Sequence, residues 1–158
     1  MSHIILNCPG GGRKEHTLRT IPEVENSYPE NKIFGANLPA YGFFIRHVRH
    51  LTLEDIQVNL DNKDDRHALY LDDCRDITID KVKTISHLSE SAYIRTNNVE
   101  NLMIRGFSTE NALPSFLENS GKSSGIKLIG NDFSKVSQLY NEEVGQEVKE
   151  AGNLFENK

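Results

Sequence analysis

Hydrophobic and polar positions alternate along this chain in short runs that recur at a nearly constant spacing. Four runs can be superimposed, each with apolar residues at a period of two and a charged last residue: Gly42-Phe43-Phe44-Ile45-Arg46, Ala68-Leu69-Tyr70-Leu71-Asp72, Ser91-Ala92-Tyr93-Ile94-Arg95 and Pro114-Ser115-Phe116-Leu117-Glu118. Successive runs lie 26, 23 and 23 residues apart. An internal repeat of roughly 20 to 50 residues is typical of a solenoid, in which each turn packs on the one before it.

Each repeat contains three short stretches of this alternation. In the first full repeat the apolar positions are Phe43, Ile45, Val48, Leu51, Leu53, Ile56 and Val58, and the next two repeats carry equivalents of most of them. The stretches are too short and too rich in β-branched residues for helices, so they read as strands separated by tight corners. The pattern therefore predicts an all-β fold, a right-handed parallel β-helix of about four to five turns, truncated at its N-terminal side.

The repeats also suggest how the chain is divided. Residues 1–133 are expected to form the β-helix turns, with a long excursion loop at 13–40 that is rich in Pro, Asn and Glu. Residues 134–158 are acidic and polar, and are expected to form a C-terminal tail or cap. Its spaced aliphatic residues fit either one face of a short helix or a segment lying along the end of the stack: Val136, Leu139, Val144 and Val148.

Alternation within the superimposed runs predicts which side chains leave the coil. Positions 43/69/92/115 and 45/71/94/117 are expected inside, which turns two columns outward. One column is aromatic (Phe44, Tyr70, Tyr93, Phe116) and the other alternates in charge (Arg46, Asp72, Arg95, Glu118). The aromatic column has two interpretations, a platform for sugar rings or a surface covered by residues 13–40 or by the tail.

Composition narrows the classes of partner. The 18 Lys and Arg residues against 23 Asp and Glu residues give a formal charge of −5, which argues against nucleic acid as a ligand. No apolar run is long enough to span a bilayer, and the first residues show no signal peptide. The location is therefore unknown: cytoplasmic, or a mature or truncated form of an exported protein. Cys8 and Cys74 are far apart and are expected to be reduced thiols.

A basic run, Arg46-His47-Val48-Arg49-His50, stands out locally. A spacing of three in a strand or corner turns His47 and His50 to different faces, so we expect neither a metal site nor a cofactor here. Two interpretations of the run stay open, a polyanion-binding surface and a solvated corner.

Several pieces together resemble the C-terminal part of bacterial polygalacturonase-like proteins, glycoside hydrolase family 28. They span most of residues 4–133: Pro9-Gly10-Gly11-Gly12, Ile21-Pro22-Glu23, Tyr28-Pro29-Glu30, Phe34-Gly35, Leu38-Pro39-Ala40-Tyr41-Gly42-Phe43-Phe44-Ile45-Arg46-His47-Val48 and Asp64-Asp65-Arg66-His67-Ala68. This chain departs from the family at His67, where a proline is expected, and in lacking the family's earlier turns.

The resemblance implies a pectin-hydrolysing protein, usually exported, whose chemistry lies in those earlier turns. The family's catalytic stretches are Asn-Thr-Asp, an Asp-Asp pair, Gly-His-Gly and Arg-Ile-Lys, and none stands here where the family places it. Asp72-Asp73-Cys74 matches the acidic pair by composition, but in the repeat it aligns with Arg46-His47 on a late turn. An acid and a base at a defined separation are needed for hydrolysis, and a dipeptide alone does not provide them. No catalytic residue is assigned.

The sequence thus predicts the C-terminal β-helix segment of a pectin-degrading, polygalacturonase-like glycoside hydrolase. Alone it would be catalytically incomplete, a scaffold or a weak binder of acidic polysaccharide such as galacturonan. The candidate carbohydrate-binding residues are Tyr41, Arg46, His47, Tyr70, Tyr93 and Arg95. Alternatives are a complete hydrolase whose missing turns come from a partner chain, and a purely structural or interaction module. Exposed strand edges at the open N-terminal end also predict a homo-oligomer.

Overall fold

Parallel strands stack turn upon turn in the computed structural model, which describes residues 1–27, 33–88, 90–141 and 148–156. The described part is an all-β solenoid of about four turns, as the repeat predicted. No helix in these residues is long and apolar enough to cross a membrane.

Strands are numbered in chain order, with one short helix in the excursion. The elements are β1 (Ser2–Cys8), α1 (Lys14–Thr17), β2 (Ala40–Arg46), β3 (Arg49–Leu60), β4 (His67–Asp72), β5 (Arg75–Ile85), β6 (Ala92–Asn97), β7 (Glu100–Arg105), β8 (Ser108–Thr109), β9 (Leu113–Asn119), β10 (Ile126–Ile129), β11 (Asp132–Phe133), β12 (Val136–Tyr140), β13 (Val148–Ala151) and β14 (Leu154–Phe155).

Two sheets run the length of the solenoid, and a short pair closes the third side. The larger sheet has the order β1-β3-β5-β7-β10-β13, with β8 also pairing β5. The second sheet has the order β2-β4-β6-β9-β12, and β11 pairs β14. All pairings between the described strands are parallel, because each strand bonds to its counterpart one turn away rather than to its neighbour in sequence.

The larger sheet keeps the register that the repeat predicted. Leu53 pairs with Ile79, and Ile79 with Ile104, so their side chains form one inward column without exposed surface. At the corner before this sheet, the carbonyls of Val48, Cys74 and Val99 accept the backbone N–H groups of Arg75, Glu100 and Ser124, each one turn later. Burial of these columns is the main stabilising contribution, because apolar area leaves water at each turn.

The second sheet differs from the predicted register by two residues between β4 and β6. Leu69 pairs with Ile94 and Leu71 with Thr96, so the expected alignment of Leu71 with Ile94 is wrong. Tyr70 then pairs with Arg95 rather than with Tyr93. A shift of two keeps the alternation of the strand, which is why the sequence pattern does not distinguish the two registers.

Two aromatic rings lie in the core instead of on the outer surface. Tyr93 and Phe116, both expected to point outward, are fully buried. The ring of Phe107 lies 5.3 Å from that of Tyr93 and 4.6 Å from that of Phe116, and Phe133 lies 4.7 Å from Phe116. The outward aromatic column therefore consists of Phe44 and Tyr70 alone among the four residues expected there.

The chain after Phe133 continues the stack. Val136 pairs with Leu113, Val148 with Ile126, and Phe155 with Phe133, each one turn further along the axis. Of the two interpretations of the aliphatic spacing, the short helix was wrong, and the described residues form strands along the end of the stack. Val144 lies outside the described residues. The spacing misled because period-two strands interrupted by corners imitate a helical spacing over short stretches.

Candidate functional site

The outer surface of the second sheet carries a set of arginines over aromatic rings. Phe44 and Tyr70 are register neighbours with ring centroids 5.4 Å apart. The guanidinium of Arg46 lies 5.0 Å from the Phe44 centroid, and that of Arg95 lies 5.1 Å from the Tyr70 centroid. We call these four residues the Arg face. Because cations cover both rings, what the Arg face offers a ligand is guanidinium rather than bare aromatic surface.

The charge column of the sequence analysis is split by the shifted register. Arg46 Nε donates to Asp72 Oδ2 at 2.7 Å, and Arg95 lies 3.7 Å from Glu118, so both predicted pairs are present. Asp72, however, is followed in the next turn by Asn97, whose amide donates to it at 2.7 Å. The single alternating column was therefore wrong, and two shorter networks replace it.

The excursion lies across the Arg face. Arg46 Nη1 donates to the carbonyl of Ile21 and to Glu23 Oε1, both at 2.8 Å. Arg95 Nη1 donates to the carbonyl of Thr17 at 2.8 Å. The two arginine side chains are left only 16% and 14% exposed. The sequence left open whether this surface is a platform for sugar rings or is covered. In the structure it is covered by the excursion.

Two of the six candidate residues lie inside the coil. Tyr93 is fully buried, and the hydroxyl of Tyr41 is also removed from solvent. Burial raises the pKa of both phenols, which the nearby hydroxyls of Ser86 (for Tyr41) and Thr84 (for Tyr93) oppose. Neither ring lies where it could contact a ligand on the surface.

His47 sits at the corner next to the Arg face and lines an open polar groove of about 140 Å³. We call it the corner groove; its lining residues are His47, Arg49, Asp73, Cys74, Arg75, Asn98 and Glu100. The groove is built by repetition: residues 47, 73 and 98 occupy one corner position in successive turns, and residues 49, 75 and 100 occupy the next outward one. The corner residues have φ of 49° to 55°, a left-handed backbone that Asp and Asn tolerate well.

Charges in the corner groove are not fully paired. Arg75 lies 2.5 Å from Glu100, and His47 Nδ1 lies 2.6 Å from Asp73 Oδ2. Arg49 is exposed and has no ion-pair partner among the described residues. Arg49 and Arg75 were not among the candidates from sequence, although their equivalent places in the repeat were a usable signal.

His47 joins the corner groove to the excursion. Its Nε2 lies 3.2 Å from Glu23 Oε1, so the ring stands between two carboxylates. Contacts with Asp73 and then with Glu23 raise the pKa of His47 above its usual value. The imidazolium can donate to both acceptors, whereas the neutral ring has one N–H and can donate to one.

Acidic side chains in the described residues serve mainly as structural acceptors. Asp64 is fully buried and accepts from the backbone N–H of Gly12 and of Arg66, each at 2.8 Å, and from the Arg66 guanidinium. Burial by itself would raise the pKa of Asp64, but these donors outweigh it and lower the pKa. Such a carboxylate stays ionised and cannot act as the general acid that glycoside hydrolysis requires.

Within the described ranges no group of three or more His, Cys, Asp or Glu side chains is placed to hold a metal ion. The corner histidines instead each contact an aspartate, His3 with Asp55, His47 with Asp73 and His50 with Asp76, and His47 also contacts Glu23. Both cysteines are free thiols, and burial raises the pKa of each.

No protein-family model and no curated protein matches the chain. A solved structure from Parabacteroides merdae, described as a "putative glycosyl hydrolase", is similar with 17% identity and a TM-score of 0.48. The match covers 72% of this chain but only 46% of that protein, so this chain spans less than half of its length.

Proposed function

We propose that this chain is a glycoside-hydrolase-like β-solenoid of the polygalacturonase type that binds an acidic oligosaccharide in the corner groove and does not cleave it alone. The observation that carries the proposal is Arg49, an exposed guanidinium without an acidic partner in the described residues, at the rim of a groove lined by polar side chains. The sequence pieces that resemble family 28 support the choice of a uronate-containing sugar.

The chemistry of the groove suits a sugar carboxylate. A guanidinium can bind a carboxylate through two parallel N–H bonds, which gives direction as well as charge. Asn98 supplies an amide that can both donate to and accept from sugar hydroxyls, and Asp73 and Glu100 supply acceptors. A neutral sugar would leave Arg49 without its counter-charge, so the groove should prefer uronates to neutral hexoses.

The acid–base requirement argues for binding without cleavage. Hydrolysis needs one carboxylic acid with a raised pKa beside a second, ionised carboxylate. Among the described residues, the carboxyl groups with a clear pKa shift are Asp64 and Asp132, and both pKa values are lowered. In the groove itself the two carboxylates are held by His47 and Arg75.

The test is titration calorimetry with tri- and hexagalacturonate, and with galactose oligomers as ligands that lack the carboxylate. We expect the uronates to bind weakly and the neutral oligomers not to bind. Arg49→Ala should lose most of that affinity, because the charged bond is lost; about tenfold corresponds to one such bond. Lys63→Ala removes the same charge from an exposed position outside the groove and is the matched control.

Equal affinity of wild type and R49A for hexagalacturonate would refute the groove as the site. Equal binding of uronate and neutral oligomers would refute the proposed ligand class, because the carboxylate would then contribute nothing.

A further inference from the structure

Residues 14–23 of the excursion make contacts that a simple covering loop does not need. They reach the Arg face at both ends, over Arg95 near Thr17 and over Arg46 near Ile21 and Glu23. We propose that residues 14–23 are a lid that closes a second acidic-ligand surface, the Arg face, and that Glu23 latches the lid through His47 and Arg46. The inference rests on the proposed function for its ligand class, a sugar carboxylate.

The lid fills the Arg face with acceptors. Three oxygens of the lid receive arginine N–H bonds at 2.8 Å: the carbonyls of Thr17 and Ile21 and the carboxylate of Glu23. These lid oxygens accept the arginine N–H bonds that the carboxylates of a bound uronate would accept. The closed lid therefore occupies the ligand surface itself. Main-chain carbonyls are neutral acceptors, and a carboxylate makes the stronger bond to a guanidinium. An acidic ligand can therefore compete with the lid once it opens.

Most residues of the lid are exposed, among them Lys14, Glu15, Leu18 and Glu23. Its buried residues are Thr17 and Ile21, at 6% and 3% exposure. Among the described residues, Lys14 also anchors the lid to Glu90 at 3.0 Å, between side chains 69% and 70% exposed. Exposed ion pairs contribute little to stability, so opening of the lid costs far less than unfolding of the coil.

The latch depends on the charge of His47. Groups that face this imidazole come from each neighbouring element: Glu23 from the lid, Arg46 from β2, Asp73 from the corner before β5, and Arg49, Arg75 and Glu100 around the corner groove. With the ring protonated, one N–H serves Asp73 and the other serves Glu23. When the ring is neutral, one carboxylate faces a bare nitrogen, and Glu23 is left with Arg46.

The pH dependence follows from this geometry. Asp73 raises the pKa of His47 whether the lid is open or closed, and Glu23 raises it further on closure. The latch is therefore strongest when the ring is protonated and weakens as the pH rises through the pKa of the closed state. The same imidazole borders the corner groove, so a uronate bound there beside Arg49 competes with Glu23. The structure thus couples occupation of the groove to opening of the lid.

Glu23→Gln tests the latch, because it keeps the shape and removes the charge. Glu25→Gln is the matched control: it removes the same charge two residues further along the excursion, and Glu25 is exposed with no hydrogen bond or ion pair to the other described residues. Hydrogen–deuterium exchange of peptides covering residues 14–23 should accelerate about two- to fivefold in E23Q, the range of one exposed ion pair, and not in E25Q. After correction for intrinsic exchange, the same peptides should also accelerate between about pH 6 and pH 8 in wild type and E25Q, and less in E23Q.

Ligand binding tests the surface under the lid. E23Q should bind hexagalacturonate more tightly than E25Q, and the gain should disappear in the double variant E23Q/R95A. Equal exchange in E23Q and E25Q would refute the latch. Faster exchange without an Arg95-dependent gain in binding would refute the Arg face as a ligand surface.

The two proposals can fail separately. If R49A abolishes binding and E23Q adds none, the groove stands and the lid inference fails. If wild type and R49A bind alike while E23Q gains affinity through Arg95, the lid inference stands and the groove fails.

Discussion

Asp73 lies one turn beyond His47 along the solenoid axis, and its carboxylate is 2.6 Å from the imidazole Nδ1. The preceding residues repeat the relationship, because Arg46 and Asp72 are register neighbours joined by a 2.7 Å bond. The acidic dipeptide Asp72-Asp73 is therefore the counterpart, one turn later, of the basic dipeptide Arg46-His47. A ladder of opposite charges between turns supports the strand register and gives both carboxylates a structural role.

The first prediction follows from that role. Asp72→Asn and Asp73→Asn should leave the release of reducing ends from polygalacturonate at the level of the wild-type chain, because neither carboxylate is placed as an acid or a base. The measurement is a reducing-end assay with the three proteins at equal concentration, each checked for folding by circular dichroism. A hundredfold lower rate in a folded variant would restore the acid–base interpretation.

The second prediction concerns the second sheet. Ile94 is 1% exposed and lies between Leu69 and Leu117 of the adjacent turns. Ile94→Ala should lower the free energy of unfolding by about 2–5 kcal/mol, because it removes buried methylene and methyl groups and leaves a cavity between turns. Urea titration followed by circular dichroism measures this change.

Ile129→Ala is the control for Ile94, since the same atoms are removed from a strand position that is 39% exposed. It should cost less than about 1 kcal/mol. Equal costs at the two positions would mean that Ile94 does not lie in the core.

The sequence predicted the larger sheet better than the second one, and the reason is physical. Leu53, Ile79 and Ile104 lie 26 and 25 residues apart, and each is the register partner of the next, so pattern and register agree. At β6 two registers two residues apart satisfy the same alternation. In the structure the ring of Tyr93 also packs on that of Phe107, with centroids 5.3 Å apart. Local pattern carries no information about such a contact.

The contacts of the candidate site were also predictable only in part. The pairs Arg46 with Asp72 and Arg95 with Glu118 were predictable, because both partners are side chains at equivalent places in the repeat. The hydrogen bonds between the excursion and these arginines were not predictable, because the acceptors include the backbone carbonyls of Ile21 and Thr17. A carbonyl has the same chemistry in every residue, so the sequence does not mark which one accepts.

The third prediction concerns His67, the position where the resembled family has proline. The ring is buried, and its Nδ1 lies 2.8 Å from the carbonyl of Ala92, so this nitrogen carries the proton. Burial is the main cause that lowers the pKa of His67. The unfolded chain then binds a proton that the folded one does not, and stability falls as the pH drops below about 6.5.

His67→Asn keeps an N–H donor for Ala92 and removes the titration. Between about pH 7 and pH 5, the unfolding free energy of wild type should therefore fall relative to that of H67N. His87→Gln, a change at an exposed histidine, is the control measured alongside. A wild-type curve parallel to that of H67N over this range would contradict the buried, neutral ring.

The fourth prediction uses Asp64, which holds the glycine-rich segment at Gly12 to the turn at Arg66. Asp64→Asn puts an amide N–H against these donors and leaves the partly buried Arg66 without its counter-charge. Breaking a buried pair in this way should cost about 3–5 kcal/mol at neutral pH. Asp61→Asn, an exposed change three residues earlier, should cost less than about 1 kcal/mol.

Measurements at low pH distinguish the loss of the Asp64 charge from a simple packing defect. The folded pKa of Asp64 is lowered, so its contribution is present above the unfolded value of about 3.9 and is lost as the pH falls through the lower folded value. The gap in unfolding free energy between wild type and D64N, measured by urea titration, should therefore be constant between about pH 7 and pH 5 and narrow below about pH 4. A gap that stays constant down to about pH 2 would mean that D64N acts through shape alone and that the carboxylate charge does not stabilise this corner.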